Sequence, residues 1–302
     1  MKTNLKSVFL LMAGAMLVFS SCERDEVSTE DDANLVNEVT AADIVNSDVH
    51  PRDAVTDEKV LDLIKGLEID AGNITKGDFH LPDGTIEQRI YIGDDIVVTV
   101  DQLRAMSTID NQQKQYRTFN LVTGNNRTID ILGYTGNDQF GLSNRGQTAL
   151  QWAVNNYNRL SGVSLNFRLT YGTNFNAADM VVYDNSTNNS GSGGVAGFPN
   201  SSGQPNKFIQ IYNLDNFSTN VNEHVITHEI GHSIGFRHSD WFDRLSCPTS
   251  SQGNEGQGSD GSVHIPGTPT GRDLTSIMQA CFSSNEDGEF NNNDITALRF
   301  MY

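Results

Sequence analysis

The spacing of apolar residues changes several times along the chain, and each change predicts a different element. Apolar residues recur at helical spacing over 144–160, which predicts a helix. Short apolar or alternating runs on either side of it predict strands. These strands lie at 117–122, 127–134, 165–169, 179–183 and 208–212. The order strand, strand, helix, strand, strand, strand predicts a mixed sheet with a helix packed on one face.

Weaker patterns flank this sheet on both sides. Apolar residues within 61–67 predict a short amphipathic helix, and residues 89–100 predict two strands joined by a turn. A further helix is predicted to begin at Val100. At the other end of the chain, residues 291–302 have helical spacing and predict a C-terminal helix that covers the core. Together these elements predict an α+β fold.

Charge divides the 302 residues into parts. The net charge is −18, and residues 22–113 alone contain 22 acidic and 7 basic residues. So acidic a chain is not expected to bind nucleic acid, because phosphate contacts need a basic face. The acidic part is either a solvated, partly disordered linker or a folded pro-region. We therefore predict a leader over 1–21, an acidic segment over 22–113 and a further domain over 114–302.

The first residues are typical of an exported protein. Lys2 and Lys6 precede an apolar run over 8–19 that is too short to span a membrane. Small residues then precede Cys22, as in a bacterial lipoprotein signal peptide. Cleavage there would leave Cys22 as a lipidated N-terminus that anchors the protein to the outer membrane or cell surface without spanning it, or the protein could be released after further processing. An ordinary signal peptide with an incidental cysteine is the alternative.

Two further features are predicted, each with an alternative. In an oxidising compartment Cys247 and Cys281 could form a disulfide bond, whereas two buried free thiols are the other possibility. The loops at 184–189 and 254–261 are rich in oxygen donors and could bind calcium. Ordinary solvated loops would have the same composition.

One motif indicates chemistry: the pattern HExxHxxGxxH, which begins at His228. On a helix, His228 and His232 lie one turn apart on the same face, so both imidazoles can bind one zinc ion. Gly235 can take a left-handed conformation that ends the helix, and His238 can then reach the metal as third ligand. Three neutral imidazoles leave the fourth position to water, which is typical of a catalytic site. Glu229 lies beside that face and is the predicted general base.

The motif and its surroundings resemble the metzincin clan of zinc metallopeptidases, and within it the bacterial dual-action HEIGH metallopeptidases. Residues 228–241, 264–269 and 290–302 carry the likeness. It covers about 114–302 and does not extend over the acidic segment. The resemblance implies a metzincin-like catalytic domain, with a cleft between an N-terminal sheet-and-helix half and a smaller C-terminal half.

The resemblance also implies roles for residues outside the motif. Residues 276–279 resemble the Met-turn of the clan, which implies that Met278 lies beneath the imidazoles and does not bind metal. Strand 208–212 would be a sheet edge with which an extended substrate pairs, and 194–199 would line the same cleft. His264 belongs either to a specificity pocket or to a plain loop. The candidate substrate-binding residues are Gly194, Val195, Ala196, Phe208, Ile209, Gln210, Ile211 and His264.

The predicted function is that of an exported, zinc-dependent endopeptidase. Zinc would polarise the peptide carbonyl and activate water, and Glu229 would pass the proton of that water to the leaving amine. A zinc-containing binding or adhesion lipoprotein without turnover is the alternative from another class, although the intact Glu229 disfavours it. A hydrolase that acts on other bonds is a third possibility. The expected partner is a protein or peptide substrate, and the expected state is a monomer.

The acidic segment is expected to inhibit the enzyme until it is removed, because it precedes the catalytic domain and contrasts with it in charge. With Cys22 lipidated, no thiol of the segment remains to bind the zinc. An aspartate could cap the ion instead, and the candidates are Asp78, Asp94 and Asp95. The sequence patterns do not distinguish among these three.

Overall fold

The computed structural model describes residues 44–45, 52–66, 74–106, 117–256 and 262–302. The predicted signal peptide over 1–21 and the predicted lipidation site at Cys22 lie outside these residues. Within the described ranges, no helix combines the length and the apolar character that crossing a bilayer requires.

The described residues form eleven strands and five α-helices. The strands are β1 (Ile44–Val45), β2 (Asp53–Ala54), β3 (Ile74–His80), β4 (Ile86–Ile92), β5 (Ile96–Val98), β6 (Thr128–Tyr134), β7 (Asn166–Gly172), β8 (Met180–Asp184), β9 (Gly193–Val195), β10 (Phe208–Tyr212) and β11 (Phe282–Ser283). The helices are α1 (Glu58–Gly66), α2 (Val100–Met106), α3 (Asn144–Asn158), α4 (Thr219–Ile234) and α5 (Asn292–Met301).

A five-stranded mixed sheet forms the centre of the fold, with the strand order β7-β6-β8-β10-β9. The first four of these strands are parallel, and β9 pairs antiparallel with β10. Helices α3 and α4 pack against each other and share one core with the sheet, which includes Ile131, Leu150, Ile209 and Ile230. The predicted α+β fold, with a mixed sheet and a packed helix, is confirmed.

The local sequence explains where α4 begins and ends. The side-chain oxygen of Ser218 caps its first turn by accepting a hydrogen bond from the backbone N–H of Val221, at 3.2 Å. The helix stops at Gly235, which has a φ of 113° that other residues rarely adopt. Every residue from Val221 to Ile234 is buried. The helix is therefore enclosed on all sides, and its polar side chains must find partners inside the protein.

The acidic segment contributes a second, four-stranded antiparallel sheet, with the order β2-β3-β4-β5. We call residues 52–66 and 74–106 the N-terminal unit. Helices α1 and α2 pack on this sheet through a cluster that includes Ile64 and Leu103. Tyr91 of β4 packs with Val195, which lies in the edge strand β9 of the main sheet. These residues are folded, so this part of the acidic segment is not a solvated linker, and its role as a pro-region stays a prediction.

The predicted strand at 117–122 is wrong. Arg117 forms single bridges to Phe236 and to Val263, but the residues after it are irregular. The hydroxyl group of Thr118 donates a hydrogen bond to the carbonyl of Asn120, at 2.6 Å, which turns the chain. Residues 118–122 thus run beside loops and not along a sheet, so no neighbouring strand pairs with them despite their alternating pattern.

Cys247 and Cys281 form a disulfide bond, with their Cα atoms 5.0 Å apart. Both residues are buried and pack with Ala280. The bond ties the loop that follows the histidine motif to the residues just after Met278. Of the two alternatives for these cysteines, the structure therefore has the paired one.

Candidate metal centre and cleft

His228 and His232 project from the same face of α4, and His238 approaches them from the loop after the helix. The Nε2 atom of His238 lies 3.1 Å from Nε2 of His232 and 3.2 Å from Nε2 of His228. All three side chains are buried. The structure thus brings the three predicted ligands together at one point.

The other ring nitrogen of each histidine is held by an oxygen atom. Nδ1 of His228 donates to the carbonyl of Ile277 at 2.8 Å, and Nδ1 of His232 donates to the carbonyl of Phe236 at 2.9 Å. Nδ1 of His238 donates to Oε1 of Glu255 at 2.5 Å. Because these oxygen atoms accept, each Nδ1 carries a proton and each Nε2 is directed at the common centre.

Met278 lies directly against the zinc-motif helix. An ideal Cβ atom at Gly231 would be 2.6 Å from the sulfur of Met278, so glycine at this position allows the close approach. The neighbouring Ile277 supplies the carbonyl that holds His228, and its own N–H donates to Asp294 at 3.0 Å. These contacts suit the Met-turn role that the resemblance implies, in which Met278 is an apolar support and not a ligand.

Glu229 lies beside the histidines and is buried against β9. An ideal Cβ atom at Gly194 would come within 2.6 Å of Cγ of Glu229, so a larger residue in β9 would displace this carboxyl group. Its Oε2 atom is buried without a hydrogen-bond partner. Burial, and then the charge of Asp95, raise the pKa of Glu229 well above its usual value. A carboxyl group with an unused oxygen at this position can exchange a proton with a nearby water.

A fourth side chain reaches the histidines from the N-terminal unit. Oδ2 of Asp95 lies 2.7 Å from Nε2 of His238, 3.4 Å from that of His228 and 3.8 Å from that of His232. Asp95 is 4% exposed, and its Oδ1 atom has no hydrogen-bond partner. The turn between β4 and β5 therefore places a buried carboxylate at the centre of the three imidazoles.

The other two candidate aspartates point elsewhere. Asp94, in the same turn, pairs with the guanidinium group of Arg244 at 2.8 Å. Asp78, in β3, accepts a hydrogen bond from the side chain of Gln88. Asp95 is thus the aspartate of the three that the fold brings to the metal-binding histidines.

The donor set fits one zinc ion. Four ligands of a tetrahedral zinc at 2.0–2.2 Å are separated from each other by about 3.3 Å. The facing atoms of Asp95, His228, His232 and His238 all lie within 4.8 Å of one another. Imidazole nitrogen with one carboxylate oxygen is a donor set that zinc prefers. Calcium in the loops at 184–189 and 254–261 stays a prediction, and part of the second loop lies outside the described residues.

The titration of these groups also indicates that the centre is built for a cation. Burial lowers the pKa of His238, but Asp95 and Glu255 outweigh it and raise the value to about 10. Burial lowers the pKa of His232 to about 4. In a metal-free protein, a proton on His238 would thus supply the positive charge that the carboxylates require. Zinc binding would displace that proton, which couples metal affinity to pH.

Glu255 is a residue of the centre that no sequence pattern predicted. It is 1% exposed, and its carboxylate holds Nδ1 of His238. Arg237 and Arg244 flank it, at 3.6 Å and 3.4 Å. Burial raises the pKa of Glu255, but His238 and the two arginines hold it below its usual value. A carboxylate on the outer nitrogen of a histidine ligand fixes the ring and strengthens its metal bond.

His224 lies one turn before His228 and is not part of the metal-binding group. Its ring centroid is 6.5 Å from that of His228, and it is buried beside Phe282. Burial lowers its pKa to about 3, so it stays uncharged. The structure therefore provides a buried histidine on the same helix as a natural control for the ligands.

The edge strands of the main sheet are β7 and β9, and the prediction that 208–212 forms an edge is wrong. Strand β10 pairs with β8 on one side and with β9 on the other. Periodicity shows which residues form a strand but not which strands are neighbours, which explains the error. The backbone of Phe208, Ile209, Gln210 and Ile211 is thus used inside the sheet.

Gly194 and Val195 lie in the edge strand β9, and Ala196 follows it. The N–H of Ala196 donates to the carbonyl of Asp95 at 2.9 Å, and the N–H of Val97 donates to the carbonyl of Ala196 at 2.8 Å. The N-terminal unit thus pairs with the edge beside Glu229. Substrate contact at these residues stays a prediction, as it does for His264, whose Nε2 donates to the carbonyl of Thr268.

Comparison with known protein families shows to which family the chain belongs. Residues 90–302 match the family described as dual-action HEIGH metallo-peptidases, and the chain belongs to this family. The match includes the histidine motif and also Asp95, so it begins before the likeness expected from 114 onward. The predicted family membership is confirmed.

Comparisons with individual proteins add little. None of the curated proteins matches the chain. Two solved structures of myroilysin resemble it in part, at 12% and 14% identity and a TM-score of 0.37 each. They cover 60% of this chain and 82% and 86% of myroilysin. A likeness of this degree transfers no residue role to the present chain.

The family and the four-residue centre together define the class of the protein. It is a zinc metallopeptidase, a hydrolase whose substrates are proteins or peptides. The centre brings together three imidazoles and the carboxylate of Asp95, with the carboxyl group of Glu229 and a sheet edge beside them.

Proposed function

We propose that this chain is an exported zinc endopeptidase that its own N-terminal unit keeps inactive. The proposal rests on the position of Asp95. Its Oδ2 atom lies 2.7 Å from Nε2 of His238, and the residue belongs to a segment that precedes the catalytic domain. A carboxylate in this position takes the fourth coordination site, which a catalytic zinc needs for water.

Glu229 would be the general base. A bound zinc ion supplies Lewis acidity and makes nearby water easier to deprotonate. The carboxylate of Glu229 takes a proton from the attacking water and delivers it to the amine nitrogen that leaves. Departure of Asp95 removes one of the causes that raise the pKa of Glu229, so activation also favours the carboxylate form.

The edge of β9 would position the peptide. Ala196 offers one N–H and one carbonyl at the edge, and the N-terminal unit uses both. An extended substrate could form the same two hydrogen bonds. The N-terminal unit therefore blocks the cleft twice, at the ion and at the sheet edge, and must leave before a substrate can bind.

Export and anchoring complete the proposal. The leader over 1–21 and the small residues before Cys22 support a lipoprotein that faces an oxidising compartment. The disulfide bond between Cys247 and Cys281 is in keeping with that compartment. Labelling with a radioactive fatty acid tests it: the wild type should be labelled and a Cys22→Ala variant should not. Equal labelling of both proteins would refute lipidation at Cys22.

The catalytic part is tested with a chain that can be opened after folding. A recognition sequence for an added protease is inserted between Met106 and Arg117, and the folded full-length protein is then cut there. We expect casein cleavage after the cut and little before it. The Glu229→Ala variant should lose activity by about 100- to 10,000-fold, while a Glu289→Ala variant, altered at an exposed ion pair, should not.

Two outcomes would contradict the proposal. Equal casein cleavage before and after the cut would refute the inhibitory role of the N-terminal unit. Equal cleavage by the wild type and the Glu229→Ala variant would refute the catalytic assignment. Tight capture of peptides without cleavage would favour a binding or adhesion lipoprotein instead.

A further inference from the structure

We propose that Arg244 determines specificity. It binds an acidic side chain of the substrate, on the residue adjacent in sequence to the substrate residue that lies at the zinc. The inference rests on the proposed function and names the substrate class of that same site. It starts from the turn between β4 and β5, which carries two consecutive carboxylates. Asp95 goes to the histidines and Asp94 goes to Arg244.

The turn fits closely around the guanidinium group. Nη2 of Arg244 donates to Oδ2 of Asp94 at 2.8 Å, and Arg244 is 2% exposed. Gly93 has a φ of 66°, and an ideal Cβ atom there would lie 2.9 Å from Nη1 of Arg244. The N-terminal unit, which pairs with Ala196 beside β9 and reaches the histidines, thus places one of its carboxylates on this arginine.

Arg244 is fixed by residues outside the N-terminal unit. Its N–H donates to the carbonyl of Asp240 at 2.7 Å, and its carbonyl accepts from the N–H of Cys247 at 3.0 Å. Its Nε atom lies 3.4 Å from Oε1 of Glu255. All these partners belong to the catalytic domain, so departure of the N-terminal unit removes Asp94 and leaves the arginine in place.

The charges then favour an acidic side chain. Once Asp94 has left, Arg244 keeps its contact with Glu255, but that carboxylate also holds His238 and faces Arg237. A carboxylate divided among three basic groups neutralises the guanidinium group of Arg244 only in part, and the metal ion adds further positive charge nearby. A substrate with a neutral side chain at this position would not replace the carboxylate that Arg244 has lost. The buried guanidinium group would then lack a charged hydrogen-bond partner, which is costly.

The experiment uses the full-length protein that is folded and then cut between Met106 and Arg117. Peptides are compared in pairs that carry aspartate or asparagine at each of the three positions on either side of the cleaved bond. At one position, kcat/KM should fall about 10- to 100-fold when asparagine replaces aspartate. In an Arg244→Gln variant the paired peptides should be cleaved at equal rates, and Arg244→Lys should restore part of the preference.

Arg272 provides the matched control, because its guanidinium group pairs with Asp243 at the surface. An Arg272→Gln variant should keep the wild-type preference. If Arg244→Gln does not fold, the paired peptides on the wild type and on Arg244→Lys still decide. Casein cleavage with no aspartate preference at any position would overturn this inference and leave the proposed function standing. Absence of casein cleavage by the cut wild type would refute the proposed function itself.

A second measurement needs no turnover. In the Glu229→Ala background, the cut N-terminal unit should dissociate from the catalytic domain about 10- to 100-fold faster when Asp94 is changed to asparagine. When Arg244 is also changed to glutamine, the same change at Asp94 should have little further effect. If Asp94→Asn speeds dissociation by the same factor with arginine and with glutamine at position 244, this arginine does not recognise a carboxylate and the inference is wrong.

Discussion

The zinc-motif helix and the turn of the N-terminal unit supply side chains to the same centre but are held there in different ways. His228 and His232 are fixed by helix α4 and by hydrogen bonds to backbone carbonyls. Asp95 is held at a sheet edge by the hydrogen bond that its carbonyl accepts from Ala196, by the adjacent bond from Val97 to Ala196, and by the neighbouring pair of Asp94 with Arg244. The first arrangement is part of the catalytic domain itself, whereas our proposal requires the second to separate as a unit.

This difference separates permanent ligands from a removable one. A metal ion held by three rigid imidazoles keeps its place when the fourth ligand departs. In our proposal, the edge hydrogen bonds that retain the N-terminal unit become available to a substrate when that unit leaves. Three changes, described from the largest expected effect to the smallest, test whether the two regions differ in this way, and a fourth tests the stability of α4.

Removal of a permanent ligand should have the largest effect. We expect His228→Ala to weaken zinc binding more than about 100-fold. This loss exceeds the usual effect of removing a residue that only hydrogen-bonds to a metal ligand. Competition with a chromogenic chelator measures this affinity. His224→Ala removes a buried histidine one turn earlier on the same helix and should leave zinc affinity nearly unchanged. Equal losses in both variants would mean that His228 acts through stability and not as a ligand.

Loss of the carboxylate behind His238 should come next. Glu255→Gln keeps the size of the side chain but removes the charge that orients the ring, so zinc affinity should fall about 10- to 100-fold. The same chelator competition gives the value. Glu286→Gln, near His224 and away from the cluster, is the control. An unchanged affinity in Glu255→Gln would show that His238 needs no such partner.

Loss of the removable ligand should have a smaller effect on metal binding and a visible effect on retention. In the cut protein, Asp95→Ala should release the N-terminal unit about tenfold faster, because a buried charge-assisted contact is lost. Zinc should remain bound, since three imidazoles persist. Asp101→Ala, at an exposed ion pair of the same unit, serves as control. If the Asp95→Ala variant also loses zinc, Asp95 is needed to hold the ion, and the proposed difference between the two regions is wrong.

The smallest effect concerns the stability of α4 itself. Burial, and then Glu289, raise the pKa of Glu223 from 4.5 to about 7, and its Oε1 atom accepts a hydrogen bond from Asn156. A carboxyl group with a raised pKa binds more protons in the folded state, so the free energy of unfolding falls as pH rises from 4.5 to about 7.

Glu223→Gln keeps the hydrogen bond and cannot ionise. We expect it to gain about 1–2 kcal/mol of unfolding free energy relative to the wild type as the pH rises from about 4.5 to about 8. Urea unfolding across this range measures both proteins. Parallel pH profiles would show that Glu223 does not titrate in this window.

The sequence predicted the permanent part of the centre better than the removable part. The histidine motif is local, because one helix turn and one glycine are enough to bring its three imidazoles together. Asp95 and His238 are 143 residues apart, so no spacing rule could select Asp95 from three candidate aspartates. Glu255 is a single acid in a polar loop, and its burial between two arginines depends on tertiary structure.

The fold shows the same limit. Hydrophobic periodicity predicted β10 and α3 well, because both place apolar residues on a regular backbone. It did not show that β9 forms an edge, since strand order is set by how the connections cross the sheet. Helix α4 is buried on all sides and has no amphipathic pattern, so the motif and not the periodicity indicated it.

The most direct test is crystallographic. Crystals of the zinc-loaded full-length protein, measured at the zinc absorption edge, would locate the ion by its anomalous signal. We expect one peak, about 2.0–2.2 Å from Nε2 of His228, His232 and His238 and from a carboxylate oxygen of Asp95. No peak among the three imidazoles, or a peak with Asp95 turned away from it, would contradict the account.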